Sequence, residues 1–276
     1  MSNEAEKALQ IGRRRCWRTP SSPDVVMFHG VYQHSFIAHA HDAITVIQVT
    51  GGAVQIEVDT RTHIARPGQL VLIGANQVHA AQPLDTQGWS MRSLHLPPEF
   101  FDDVAEEAVS GSMHFGCPLY PGASSDHAAF GEWHAACEAG SLAQAEASYI
   151  EFSHWLQDSI KAFAPHVDAH PQLDARITRA KAILGERVFD NETLDEIAET
   201  VGLSSFSLIR GFTKSFGLPP HTWRMQARAR AAADLIRAHE SLADVAGSCG
   251  FTDQSHLARV FKRVYGVTPG QYRSID

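Results

Sequence analysis

Gly250-Phe251-Thr252-Asp253-Gln254-Ser255-His256-Leu257-Ala258-Arg259-Val260-Phe261-Lys262-Arg263 is the stretch on which the reading of this chain turns. Leu257, Phe261 and Tyr265 recur every four residues, an apolar stripe that predicts a helix, and Gly266 stops it. Just upstream, Leu242, Val245, Ala246 and Cys249 stand at i, i+3, i+4 and i+7, which predicts a short helix running into the Gly250-Phe251 turn. Working outward, the same pattern occurs earlier in the chain. Leu194, Ile197, Ala198 and Val201 precede Gly202-Leu203; Leu208, Phe212 and Phe216 form the next stripe, and Gly217 ends it. Pro220 and Pro269 follow at matching places, and the second copy is one residue longer in its turn.

A short helix, a glycine-containing turn and an amphipathic second helix make a helix-turn-helix, with Ala198 and Ala246 small enough to let each pair cross closely. The outer face of such a second helix fits the major groove of DNA. Two plain helical hairpins are the alternative, and repetition in register with aligned glycines, aromatics and prolines weighs against it. Extended through Gly266-Val267-Thr268-Pro269 to Tyr272-Arg273, the quoted stretch resembles the AraC/XylS family of bacterial transcription regulators, and the resemblance covers Gln172 to Asp276. It implies two helix-turn-helix units joined by a long helix at about Pro220 to Ala238. Both recognition helices would then enter successive major grooves. Carried over residue by residue, the base-reading positions fall on Phe206, Ile209 and Arg210 in the first unit, and on Gln254, Ser255, Ala258 and Arg259 in the second. Arginine pairs bidentately with guanine and glutamine with adenine. Lys214, Lys262 and Arg263 are expected near phosphates, where they add affinity without sequence choice. Gly211 departs from the family, which has a large apolar residue there; glycine inside a helix costs about 1 kcal/mol relative to alanine. Ile209 offers only apolar contact to a thymine methyl, so base reading is expected chiefly from the second helix.

The charge distribution agrees. The chain of 276 residues has a net charge of -8, yet residues 1–171 hold 9 Lys and Arg against 19 Asp and Glu, while residues 172–276 hold 14 against 12. Thirteen of the 16 histidines lie in the first part. No apolar run is long enough to span a bilayer, the polar start carries no secretory signal, and Cys16, Cys117, Cys137 and Cys249 form no C-x-x-C pair. These features point to the cytoplasm and away from a disulfide framework.

Between Val25 and Leu96 the pattern is that of strands. Ala43–Thr50 is an apolar run, Gly51-Gly52 a turn, and Val54, Ile56 and Val58 alternate with Gln55, Glu57 and Asp59. Pro67-Gly68 breaks the chain before Leu70–Ile73, and the whole predicts a small barrel or sandwich. After Pro97-Pro98, the stripe Leu142, Ala145, Tyr149, Phe152, Leu156, Ile160 and Phe163 predicts a helix of roughly six turns. The stripe reads equally as a dimer seam or as packing within the chain. Pro165 ends it, and residues 164–171 are the expected linker.

His39-Ala40-His41, Gly51-Gly52, Pro67-Gly68 and His79 resemble the landmarks of cupin barrels, the usual sensor fold of this regulator family. Metal-binding cupins add a glutamate shortly after the H-x-H pair; here Ile44, Thr45 and Val46 fill that neighbourhood. Three imidazoles can still hold zinc, so metal, contact with an organic effector and a purely structural role all remain open for His39, His41 and His79. Arg92 is an anchor for an anionic effector if it faces inward.

The expected fold is α+β in two domains. Residues 1–171 form a cupin-like β-barrel with a helical dimerisation segment, and residues 172–276 form an all-α double helix-turn-helix. The expected function is a non-enzymatic, sequence-specific regulator acting on double-stranded DNA under a small-molecule effector. A homodimer without cofactor or bound metal is expected, with RNA polymerase as partner if it activates and no membrane association. The alternatives are a cupin metalloprotein or metal sensor fused to a DNA-targeting domain, and a constitutive architectural DNA binder.

Overall fold

The computed structural model describes residues 15–19, 22–41, 43–58, 61–97, 119, 127–163 and 174–274. The chain falls into two compact units, one of residues 1–35 and 41–166, the other of residues 167–275 with the short segment 36–40. No helix among the described residues is long and apolar enough to cross a membrane.

Nine strands come first: β1 (Arg15–Thr19), β2 (Ser22–Tyr32), β3 (Phe36–His39), β4 (Ile44–Gly51), β5 (Val54–Val58), β6 (Arg61–Ala65), β7 (Leu70–Ile73), β8 (His79–Pro83) and β9 (Trp89–Leu96). They form two sheets, ordered β1-β2-β9-β4-β7 and β3-β8-β5-β6. The alternation read in β5 is the buried pattern observed, with Val54, Ile56 and Val58 inside. In β4, by contrast, both faces are covered: Ile44 to Ile47 are all buried. Gly52 makes the β4–β5 turn at φ 68°, and a side chain there would strike the Gly88 carbonyl. Strand β1 begins before the first strand expected from sequence.

Helix α1 (Ala128–Glu138) and helix α2 (Leu142–Phe163) pack on each other, and α2 has the bounds its apolar period predicts. Phe152 and Leu156 are fully buried, and Phe152 stacks on Trp133 of α1 with ring centroids 4.2 Å apart. The stripe read as a possible dimer seam is therefore covered within the chain at these two positions. Ala145 is buried as well, whereas Leu142 is exposed. The side chains of Ile160 and Phe163, Pro165 and the 164–171 linker lie outside the described residues, as does Cys117. Cys137 on α1 is buried, and burial pushes its thiol up to about 11.

Helices α3 (Ala175–Glu186), α4 (Leu194–Thr200), α5 (Ser205–Phe216), α6 (Pro220–Arg237), α7 (Leu242–Ser248), α8 (Gln254–Tyr265) and α9 (Pro269–Arg273) make the second unit. The repeat is exact in length: α4 and α7 have 7 residues each, α5 and α8 have 12. Each is capped by a side chain, with Thr193, Ser204, Ser241 and Asp253 accepting from a backbone N–H in the first turn. Gly217 and Gly266 close α5 and α8 in the left-handed conformation at φ 71° and 73°. The core of the first repeat gathers Ile177, Ala180 and Leu184 of α3 with Ile197, Ala198, Leu208 and Phe212. Leu257, Phe261 and Val264 are the buried counterparts on α8. Cys249 ends α7 in the buried position that Val201 holds in the first repeat, and its thiol is also pushed up, mainly by burial.

Gly211 acquires a reason here that its helix propensity does not reveal. A Cβ at Gly211 would stand 2.7 Å from Cδ1 of Ile177, so α3 delivers into α5 the apolar mass expected at position 211 itself.

Candidate nucleic-acid interface

The buried stripes of α5 and α8 fix which residues point away. With Leu208 and Phe212 inside, Phe206, Ile209, Arg210 and Lys214 are exposed, Phe206 at 73% of its surface. A phenyl ring left in water costs hydrophobic free energy, about 25 cal/mol per Å2, and nothing in the helix's own packing requires it there. With Leu257 and Phe261 inside, Gln254, Ser255, Arg259, Lys262 and Arg263 are exposed, and Ala258 is half-buried. All ten positions singled out from sequence thus lie outside the buried stripes. None of the side chains of Arg210, Lys214, Arg259, Lys262 and Arg263 makes a hydrogen bond or ion pair with another described residue. Exposed and without a side-chain partner among the described residues, they have donors available to phosphates or base edges.

The N-termini of the recognition helices are held locally. Ser205 donates to Asp195, tying α5 to α4, and Thr252 pairs with the His256 ring at 3.3 Å, tying the second turn to α8. The connecting helix α6 carries two buried arginines. Arg224 donates to Glu192 O at 2.7 Å; Arg228 donates to Val188 O at 2.7 Å, Asp190 O at 2.8 Å and Gly250 O. Sequence reading did not single these two out, because their partners are backbone carbonyls and leave no mark in the sequence.

His39 on β3, His41 and His79 on β8 are buried, each bringing one ring nitrogen within 4.8 Å of the others. His39 and His79 donate from Nδ1 to Ile37 O at 2.7 Å and Gln77 O at 3.0 Å, since a carbonyl can only accept. Burial lowers the His39 pKa to about 4, against the opposing effect of its carbonyl partner, so the ring is neutral at physiological pH. A fourth histidine, missed in the sequence, joins them: the His41 ring lies 4.4 Å from that of His95 on β9 and 5.3 Å from that of His79 on β8. Thr45 pairs with His95 across the sheet, and Ser93 shares its face. The hydroxyls of Thr45 and Ser93 are buried and have no hydrogen-bond partner among the described residues. The period-two pattern of Trp89, Met91, Ser93 and His95 was the available signal.

Arg92 has the opposite parity. It stands across from His29 on β2 and Gln48 on β4, on the other face of β9 from His95. Its charge helps depress the His134 pKa on α1, where burial acts first and brings it to about 3. The condition on which Arg92 was an effector anchor, that it face inward with the histidines, is not met.

Residues 23–198 match the AraC-like ligand binding domain, and residues 197–275 match a helix-turn-helix domain. The chain is 27% identical over 238 residues to the HTH-type transcriptional regulator YbfI of Bacillus subtilis, covering 83% of this chain and 84% of that one. It is 30% identical over 107 residues to the arabinose operon regulatory protein of Escherichia coli, or 38% of this chain and 37% of that protein. Among solved structures, ToxT of Vibrio cholerae with a bound unsaturated fatty acid superposes with a TM-score of 0.54. The match covers 90% of this chain and 94% of ToxT at 16% identity, a likeness of fold.

Proposed function

Since the chain belongs to the AraC family of DNA-binding transcription regulators, we propose that it reads a bipartite DNA site with α8 and α5 under the control of a small organic effector. Arg259 and Gln254 carry most of the base choice, with Ser255 and Ala258 beside them. Phe206 and Ile209 give apolar contact, and Arg210 a further base contact. Lys214, Lys262 and Arg263 grip phosphates. The observation that carries the reading is the pair of matched helices, each keeping its cations unpaired on the face opposite its apolar stripe. Selection from a random duplex pool by the full chain tests it: one bipartite motif should enrich, and no enrichment would refute the reading.

The effector contacts are His39, His41 and His79, joined by His95, Thr45 and Ser93. Imidazoles and unpartnered buried hydroxyls in an apolar sheet interior fit a polar organic ligand. ToxT, related in fold, takes a fatty acid; this set calls for more hydrogen bonding. The carboxylate of metal-binding cupins is absent, so purified untagged protein should carry far less than one transition-metal ion per chain by elemental analysis. Stoichiometric zinc, nickel or iron that vanishes in a His39→Ala, His41→Ala variant would overturn the organic-ligand reading. The protein works in the cytoplasm as a homodimer, contacting RNA polymerase where it activates; light scattering on the full chain checks the dimer.

A further inference from the structure

Arg228 sits at the middle of α6, a buried arginine whose hydrogen bonds all go to main-chain oxygens. Its three donor nitrogens are spent on three main-chain carbonyls from two places far apart in sequence. Val188 and Asp190 belong to the segment that leads into α4; Gly250 is the turn between α7 and α8. One side chain of the connecting helix therefore grips the entrance of the first helix-turn-helix and the turn of the second. Gly250 is built around that grip. A Cβ there would meet Cζ of Arg228 at 2.8 Å and the Phe189 carbonyl at 2.9 Å, and its φ is +71°. The two repeats thus touch through Gly250 and Phe189, with the planar, permanently charged fork of Arg228 fixing the contact in three directions.

We propose that Arg228 is a positioning residue for DNA reading, setting the separation and rotation of the two recognition helices and so the spacing of the half-sites the protein accepts. This rests on the reading that α5 and α8 both enter the major groove. A base pair inserted between half-sites adds roughly 3.4 Å and turns the next groove by about 35°. A rigid pair of helices cannot follow that change, whereas a loosened pair can.

The experiment uses the full chain and the duplex it selects from a random pool, remade with one or two base pairs inserted or removed between half-sites. For the unaltered protein each step should weaken binding by at least about tenfold, the effect of a lost base contact. In Arg228→Gln the penalty per step should shrink to within roughly threefold, while helical circular dichroism and binding to a single half-site persist. A folded Arg228→Gln protein with the original spacing preference overturns the proposal. If Arg228→Gln loses its helical signal, Arg228→Lys decides by the same readout, since lysine keeps charge and stem but cannot fork to three carbonyls. Loss of the fold in both variants would mean that Arg228 holds the domain together and does not tune spacing, and the proposal falls. Failure of the unaltered protein to enrich any motif refutes DNA reading itself, a separate result.

Discussion

The two helix-turn-helix repeats share their interior and differ on their surface. Leu208 and Phe212 on α5 correspond to Leu257 and Phe261 on α8, all fully buried. Outside, α5 shows Phe206, Ile209, Arg210 and Lys214, whereas α8 shows Gln254, Ser255, Arg259, Lys262 and Arg263. The packing that makes the motif is thus held in common, while the surface that would choose a sequence is free to differ. One helix mixes apolar contact with two cations, and the other offers mostly directed hydrogen bonds.

The largest expected effect concerns the shared interior. Phe212→Ala and Phe261→Ala should each destabilise the helical unit by about 3–5 kcal/mol in urea unfolding followed by circular dichroism. A loss of under about 1 kcal/mol at either position would show that the repeats are not equivalent inside.

The differing surfaces come next. Arg259→Ala should cost about 1–3 kcal/mol at the selected site and relax choice at one base pair. Arg210→Ala should cost less; the reverse order would exchange the roles given to the two helices. Lys262→Ala should weaken binding to every sequence alike and reduce the slope of log affinity against log salt by about one.

The smallest effect sharpens the comparison at two glycines. Gly247 on α7 has open space around its Cβ direction, whereas Gly211 on α5 faces Ile177. Gly247→Ala should stabilise by roughly 0.5–1 kcal/mol, and Gly211→Ala should give no such gain because Ile177 must move. Equal gains at both would remove the packing reason given for Gly211.

Legibility in the sequence followed the range of the interactions. Helices α2, α4, α5, α7 and α8 were readable because a 3.6-residue period and a terminal glycine or proline are local signals, whereas α6 and the base-reading positions came from the resemblance to the AraC/XylS family. Strand β5 was readable from its alternation. The pairing of β2, β4 and β9 was not, since register between strands far apart in sequence leaves no local mark. For that reason His95, Thr45 and Ser93 were not joined to the three histidines, and the face of Arg92 stayed open until the pairing of β9 was known. Arg228 was invisible for a different reason: carbonyl partners are supplied by every residue type.

The buried cysteines have a practical consequence. A thiol reacts with alkylating reagents as its thiolate, and both Cys137 and Cys249 are held protonated and shielded in the folded chain. With Cys16 and Cys117 replaced by serine, the rate at which each remaining thiol is labelled would clock how often its surroundings open. One clock would run in the sheet-bearing unit and the other in the second repeat. Labelling in the presence of effector or of DNA would then show which half of the molecule each ligand quiets.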